Sequence, residues 1–522
     1  MKDLKEKIIQ TRNLHPHFFN PTIEDIYDEG LLKNVDEACE LLNKYISNKS
    51  KISIVIDTDM DGIMATMIMY EWLSDLINPK IIVHQRNQGH GVIVENVKPT
   101  DLLIIVDSSS NSDTEIKEIL SKKLAKDILI IDHHIVEGSM ASIKGVCLVN
   151  SQQDGDLYPN KELSGAMTVF KVLQHMEKMY TYPNKLITTQ DLSDLAAISI
   201  VSDVMDVSEI ENRYYYYEGL RKVKNRGILL LMRKLHMFGY KVNSHDLAFK
   251  FNKAINSMLR LQNIYAIFNL LLEQDDDKID AMLNSIIDLM DKRDVIEKDI
   301  MENLIELYSD DYNIVLQNNY KNSIIASNFN GVVASKLVDA NHKNVMIVNS
   351  NYSGSARAYE GYNLKDYIDN SDVAVGVGHQ GAFGIKIKDL DELKSYFINH
   401  PPVFEKSSEY DFELNLKDIS KDLFKDVQEA EFLTGKGYDK IKFKINNIQI
   451  VDIKESSSGK KYYEIDKKNY IRVYTDEDYQ INDIITVYCN LDLSNFFGND
   501  YYSFYCYNSE FIEHKTDEEW GF

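Results

Sequence analysis

Carboxylate and imidazole side chains gather in four short segments of this 522-residue chain, and each segment follows an apolar run. Asp57-Thr58-Asp59-Met60-Asp61-Gly62 follows residues 52–56, and Asp107-Ser108-Ser109-Ser110 follows residues 102–106. Asp132-His133-His134 follows residues 128–131, and Ser202-Asp203-Val204-Met205-Asp206 follows residues 195–201. Unpaired carboxylates brought together repel one another and raise each other's pKa values. Divalent cations remove that conflict, and mixed Asp/His ligation suits Mn²⁺ or Mg²⁺. Two such ions about 3.5–4 Å apart activate water and stabilise in-line displacement at phosphorus. Singly, each segment has a plainer reading: a calcium-type loop or solvated turn, a helix N-cap, surface polar sequence. Together they point to one two-ion site.

The elements that must position them read as α/β. Residues 52–56, 81–83, 102–106 and 128–131 are continuously apolar and rich in β-branched types, as in strands buried on both faces of a parallel sheet. Helical spacing follows at 63–76 and 114–124. The run 195–201 is taken as a further strand. Ligands bind outside the carboxyl ends of parallel strands, so four such ends converge on one crevice. Long helical periodicity, as at 279–307, marks a helical connector over 209–310. Strand patterns return at 324–326, 345–348 and 373–375, with a helix at 332–340, in a second α/β unit over 311–400. Pro401-Pro402 breaks the chain. Alternating segments at 440–450, 462–465, 471–474 and 484–488 then predict a small antiparallel β-barrel or sandwich within 405–522. The catalytic unit with its N-terminal extension is assigned to 1–208.

Composition narrows the classes. Hydrophobic residues are 44 % and aromatics 10 %, which excludes a largely disordered chain. A formal net charge of -24 argues against a surface that coats nucleic acid indiscriminately. Cys39, Cys147, Cys489 and Cys506 are scattered without a CxxC pair, as expected of reduced thiols in a cytoplasmic protein. The first ten residues are polar and lysine-rich, without the apolar core of a signal peptide, and no apolar run reaches the ~18 residues that span a membrane.

At the four acidic segments the chain resembles the DHH phosphoesterase superfamily, and within it the RecJ-type single-strand-specific exonucleases. Further likeness lies in Arg86-Asn87-Gln88-Gly89-His90-Gly91, Asn150, Leu163-Ser164-Gly165-Ala166 and Asn256 with Arg260. It continues through Gly331-Val332-Val333-Ala334-Ser335-Lys336-Leu337 and Ser353-Gly354-Ser355-Ala356-Arg357, and on to Gly376-Val377-Gly378-His379 with Ala382-Phe383-Gly384. The resemblance implies that Asp59, Asp61, Asp107, His133 and Asp203 hold two Mn²⁺ or Mg²⁺ ions. It implies that Asp57 and Asp132 support them and that His134 is a phosphate contact or proton donor. It implies substrate contacts at Arg86, Ser355, Arg357, Gly376, Gly378 and His379. Glycines let amides approach a phosphate closely, and arginine grips one bidentately. The chain departs from the family at Ile56, at Ser108-Ser109, and at Val377 and Phe383; a bulky Phe383 is expected to narrow the end-binding pocket.

The implied architecture is a parallel-sheet DHH domain, a helical connector, a DHH-associated domain across a cleft and an OB-like β-domain. Residues 432–437 are faintly similar to the family's segment entering that last domain. Residues 436–472 hold ten basic side chains against five acidic ones, with Tyr462, Tyr463, Tyr470 and Tyr474 interleaved as faces on which bases stack. The expected function is a metal-dependent exonuclease on single-stranded DNA, 5′→3′, releasing 5′-mononucleotides, with RNA left open as a substrate. The alternatives are a small-substrate DHH phosphoesterase (a nanoRNase or cyclic-dinucleotide phosphodiesterase) and a catalytically silent replication scaffold. The acidic tail suggests a replication or repair protein as partner.

Overall fold

The computed structural model describes residues 4–84, 91–237, 242–261, 264–359, 361–404, 407–456, 459–466, 471–496 and 499–515. Its first sheet holds β1 (Ile52–Val55), β2 (Lys80–Ile82), β3 (Leu102–Val106), β4 (Asp127–Ile131) and β5 (Val146–Val149). The strands are all parallel, in the order β2-β1-β3-β4-β5. Alternate residues enter different cores: Ile52, Ile54, Leu102 and Ile104 join the large cluster, while Val55, Leu103 and Ile105 face a smaller one. Burial on both faces explains why the runs are unbroken by polar residues. The chain leaves β1 for β2 on one side and then crosses to β3 on the other. That reversal makes the carboxyl ends of β1 and β3 the switch point at which open α/β sheets bind ligands.

The fourth segment corrects the sequence reading. Residues 195–201 form no strand but lie within the helix Ser193–Ser202, with Leu195, Ala196, Ala197, Ile198 and Ile200 fully buried. A short run that is apolar all round carries no periodicity to separate a buried helix from a buried strand. Residues 324–326 likewise fall inside the helix Ser323–Asn341.

Helices Ile210–Arg221, Arg226–Lys234, Asn252–Arg260, Ile264–Leu272 and the long Asp276–Glu302 lead to a second sheet. It comprises β6 (Leu304–Ser309), β7 (Asn313–Asn318), β8 (Asn344–Val348), β9 (Ser353–Arg357), β10 (Ala374–His379) and β11 (Ala382–Ile387). The order is β10-β11-β9-β8-β7-β6, and only β7 and β8 are parallel. The glycine loop expected at 376–384 is in fact the β10–β11 hairpin, with Gly378 opposite Phe383.

The third sheet contains β12 (Phe412–Asn415), β13 (Phe443–Gln449), β14 (Asp452–Glu455), β15 (Lys461–Asp466), β16 (Ile471–Tyr474), β17 (Asp483–Phe496) and β18 (Asn499–His514). Its order is β12-β13-β17-β18-β16-β15-β14. It is mixed, with β12/β13 and β16/β18 parallel, where an antiparallel barrel or sandwich was expected. Among the described residues no strand pair joins β12 to β14, so hydrogen bonding does not close the expected barrel. This unit shares its core with the first: Arg213 stacks 3.7 Å over Phe18 and donates to the carbonyls of Phe18, Val207 and Leu433. Among the described residues no helix is long and apolar enough to cross a membrane, and all four cysteines are free.

Candidate metal centre

β1 leads to Asp57, the turn after it delivers Asp59, and the helix that follows delivers Asp61. Asp59 caps the helix Met60–Ser74, its carboxylate accepting the Gly62 amide at 3.0 Å. Gly62 is required there, since a Cβ would stand 2.7 Å from the Asp57 carbonyl oxygen. Asp61, in the first turn of that helix, accepts the amides of Gly165 and Ala166 at 2.6 and 3.0 Å. Those amides open the helix Gly165–Met179, whose cap Ser164 also bonds Ser199 of the helix that ends at Asp203. The sequence presents this stretch only as a motif; that its first amides fix the Asp61 carboxylate is visible only in three dimensions.

β3 delivers Asp107 and β4 delivers Asp132, His133 and His134. His133 Nε2 lies 3.2 Å from Asp107 Oδ1, 3.3 Å from Asp203 Oδ2 and 3.8 Å from Asp61 Oδ2. Asp107 Oδ1, His133 Nε2 and Asp203 Oδ2 are all buried without a hydrogen-bond partner. The His133 Nε2 atom, without a hydrogen-bond partner, faces the three carboxylates. Burial, chiefly, holds His133 below the ordinary histidine range and hence neutral. Burial and the neighbouring Asp61 and Asp59 push Asp203 up to about 9, and burial with Asp61 raises Asp107. Lone pairs converging at such distances fit a cation between them.

The donors form two groups, Asp61, His133 and Asp203, and Asp57, Asp59 and Asp107, linked by a third of Asp107, Asp132, His133 and His134, each with ligand atoms within 4.8 Å of one another. Asp107 stands between them through its approach to His133. Asp57, expected as support, is therefore grouped with two of the expected ligands. The oxygen and imidazole donors, with no thiolate, suit Mn²⁺ or Mg²⁺.

Asp132 does something else. Its oxygens accept the amides of Ser110, His133 and His134 at 3.0, 2.7 and 3.3 Å, and His134 Nδ1 at 2.8 Å. Burial opposes its charge, but these bonds hold the carboxyl well below the ordinary range. In return the Asp132 bond raises His134 to about 9, so this exposed imidazole carries a proton at neutral pH. Three non-glycine residues of the site, Asp107, Ser109 and Val204, have φ of 59°, 75° and 56°. For β-branched Val204 this is a true outlier, and such strain gathers at functional sites.

The expected substrate contacts lie on the second sheet. Ser355 and Arg357 are on β9, and Gly376, Gly378 and His379 on β10. Arg86 and the His379 side chain fall outside the described residues. The Gly331 backbone approaches Arg357 closely, for a Cβ there would meet Nη2 at 2.6 Å. Among the described residues no carboxylate pairs with Arg357, and burial lowers its pKa. Phe383 narrows no pocket: it is buried beneath β10, with its ring 2.8 Å from where a Gly376 Cβ would stand.

Part of the basic window is neutralised. Lys436, Lys442, Lys444 and Lys461 pair with Glu162, Glu409, Glu413 and Asp478, acids that all lie outside residues 436–472. Tyr462 and Tyr463 are buried, Tyr474 stacks on Tyr505, and Tyr470 lies outside the described residues. A charge count along the chain could not see partners arriving from other segments.

Residues 51–200 match the family described as "DHH family, N-terminal domain". The chain is 25 % identical over 509 residues to a putative SPbeta prophage-derived single-strand DNA-specific exonuclease, YorK, of Bacillus subtilis (strain 168), covering 88 % of this chain and 86 % of that one. To the single-stranded-DNA-specific exonuclease RecJ of the same organism it is 26 % identical over 401 residues, covering 72 % of this chain and 49 % of that one. In fold it is similar to the crystal structure of RecJ in complex with Mn²⁺ from Thermus thermophilus. The TM-score is 0.72 at 19 % identity, over 97 % of this chain and 78 % of that one.

Proposed function

From a chain that carries a DHH-family N-terminal domain over residues 51–200, we propose a metal-dependent exonuclease that hydrolyses single-stranded DNA from the 5′ end to 5′-mononucleotides. The observation that carries it is the convergence of three buried, unpartnered atoms, on Asp107, His133 and Asp203, at the sheet's switch point. The relatives named as single-strand DNA exonucleases support the substrate and the reaction class.

Asp61, His133 and Asp203 would hold one divalent ion and Asp57 and Asp59 a second, with Asp107 between them. Bound there, Mn²⁺ or Mg²⁺ supplies charge stabilisation at phosphorus and acidifies water. The chain's own groups do the rest. His133, held neutral by burial, presents Nε2 to Asp61, Asp107 and Asp203. Asp132 holds His134 protonated, which suits it to donate a hydrogen bond to a phosphate oxygen or a proton to a leaving oxygen. Arg357, a partly desolvated guanidinium without an acidic partner among the described residues, is suited to grip a terminal phosphate, with Ser355 beside it and Gly376 and Gly378 across the hairpin.

The test is digestion of end-labelled strands bearing phosphate at the 5′ or the 3′ end, titrated with Mn²⁺ and Mg²⁺, with Asp203→Ala as control. Expected are mononucleotides released from the 5′ end by the native chain alone. Equal release by the variant, no release in Mn²⁺, or cleavage of dinucleotides alone would overturn the proposal.

A further inference from the structure

Next to Asp203 the surface holds a second feature that the metal centre does not use. A groove of about 390 Å³ runs between the loop after Asp203, the turn at 244–249 and residues 434–440. Its walls are joined to the metal-bearing loop: the Val207 amide donates to the Lys436 carbonyl at 2.9 Å, and a Cβ on Gly437 would meet Asp206 Oδ1 at 1.9 Å. The floor is apolar, with Val201, Val204 and Met205 facing Ala248 and Phe249. Two of these are unusually open for their type: Phe249 is 66 % exposed and Val204 64 %. Phe249 lies in a π-helical turn, Leu247–Phe251, a rare distortion that is frequent at functional sites. His245 packs 4.5 Å from the Phe249 ring and steadies it. Lys436, Asp439 and Lys440 line the same groove. Lys436 pairs with Glu162, whereas the Lys440 ammonium forms no ion pair among the described residues.

We propose that this groove is a nucleotide subsite of the single strand, in which a base stacks on Phe249 over Val204 and Met205 while Lys440 meets the backbone phosphate beside it. The inference rests on the nuclease reading of the metal centre and names where the strand lies next to it. Charge favours this occupant over a protein helix or a second copy. The groove sets the exposed aromatic face of Phe249 beside the Lys440 ammonium, the combination that tracks a single strand with little regard to sequence. Continuity supplies the second reason, because the residue that strains its backbone to φ 56°, Val204, is both the neighbour of Asp203 and part of the groove.

The experiment uses the full chain, in EDTA so that nothing is cut, and single strands carrying 2-aminopurine at successive positions. Quenching should peak at one position. Phe249→Ala should abolish that peak and weaken binding about tenfold, within the range of one lost base–aromatic stack. Phe249→Trp should restore both. Lys440→Ala should weaken binding and reduce its salt dependence by about one phosphate contact. Because Phe249 is exposed, the thermal midpoint should stay unchanged in Phe249→Ala. If that variant binds and quenches as the native chain does, the groove proposal falls, while metal-dependent cleavage by both proteins would leave the nuclease reading standing. If it instead alters self-association and leaves strand binding intact, the groove belongs to a protein contact and the proposal falls. If the native chain neither binds nor cuts single strands, both readings fall together.

Discussion

Asp107 occupies the space that a side chain on Gly165 would need: its Oδ1 atom lies 2.2 Å from where a Cβ would stand. The Gly165 amide meanwhile donates to Asp61 at 2.6 Å. One residue thus brings the aspartate that follows β3 and the aspartate of the helix Met60–Ser74 to a common point.

Gly165→Ala is therefore expected to displace Asp107 without unfolding the chain. Forcing one methyl into a packed site costs typically about 1–3 kcal/mol. Metal-dependent cleavage should fall by two orders of magnitude or more, with the Mn²⁺ response of the thermal midpoint reduced. A variant whose midpoint rises with Mn²⁺ as the native chain's does would show that this close approach is not what sets the ligands.

The candidate ligands were legible in the sequence because strand-end acids announce themselves by type and position; Asp59, Asp61, Asp107 and His133 need only the parallel sheet to bring them near one another. Asp203 reached the site by another route than expected, from the end of a helix, because residues 195–201 are apolar on every side and so look alike in either conformation. What stayed hidden depends on contacts distant in sequence. The amides that grip Asp61 come from residues 104 and 105 positions away. The acids that neutralise Lys436 and Lys461 lie outside the window in which the lysines were counted. Phe383 looked like an obstacle to substrate because its neighbours are glycines, yet those glycines leave room for its ring inside the core.

Crowded acids should make the metal-free protein less stable than it could be. Asp107 is fully buried among Asp61, Asp59, Asp203 and Asp57, all of which raise its pKa. Asp107→Asn removes one of those charges while keeping the shape. In EDTA its thermal midpoint should equal or exceed that of the native chain, and in Mn²⁺ the order should reverse. A ligand at a hundred times its Kd stabilises by about 2.7 kcal/mol, and the variant should lose most of that gain. A lower midpoint for the variant in EDTA would contradict the crowding argument.

A buried ion pair holds the same unit together away from the metal site. Lys171 Nζ lies 2.6 Å from Glu211 Oε1, both side chains wholly buried, and Glu211 also accepts Tyr158 Oη, Asn160 Nδ2 and the Tyr27 amide. Glu211→Gln leaves the ammonium only the more distant Glu29, 4.0 Å away, and should destabilise by up to about 3–5 kcal/mol. Adding Lys171→Met should recover a large part of that loss, since removing both charges leaves no buried ion uncompensated. Urea unfolding of the two single variants and the double variant measures the coupling; additive losses would mean that the pair is not coupled.

Glu431 gives the fold a pH dependence of known sign. It follows the helix Lys421–Ala430, and its carboxylate accepts the Ile441 amide at 2.6 Å. Burial, the largest influence, pushes it up to about 7 from 4.5, against the opposing effects of that amide, Lys440 and Arg12. Below pH 4.5 both folded and unfolded chains hold the proton, and the group is neutral toward stability. Between 4.5 and 7 the unfolded chain releases its proton first, so stability falls as pH rises, by up to about 1.4 kcal/mol per pH unit, and levels off above 7. Glu431→Gln keeps an oxygen for the Ile441 amide but cannot ionise. Its unfolding midpoint should therefore match the native chain's near pH 4.5 and exceed it by pH 7.5. Glu71, also pushed up to about 7 by burial and Asp194, titrates in both proteins and cancels in the comparison. Parallel stability profiles for the two proteins across this window would show that Glu431 ionises in the folded chain at its ordinary pH.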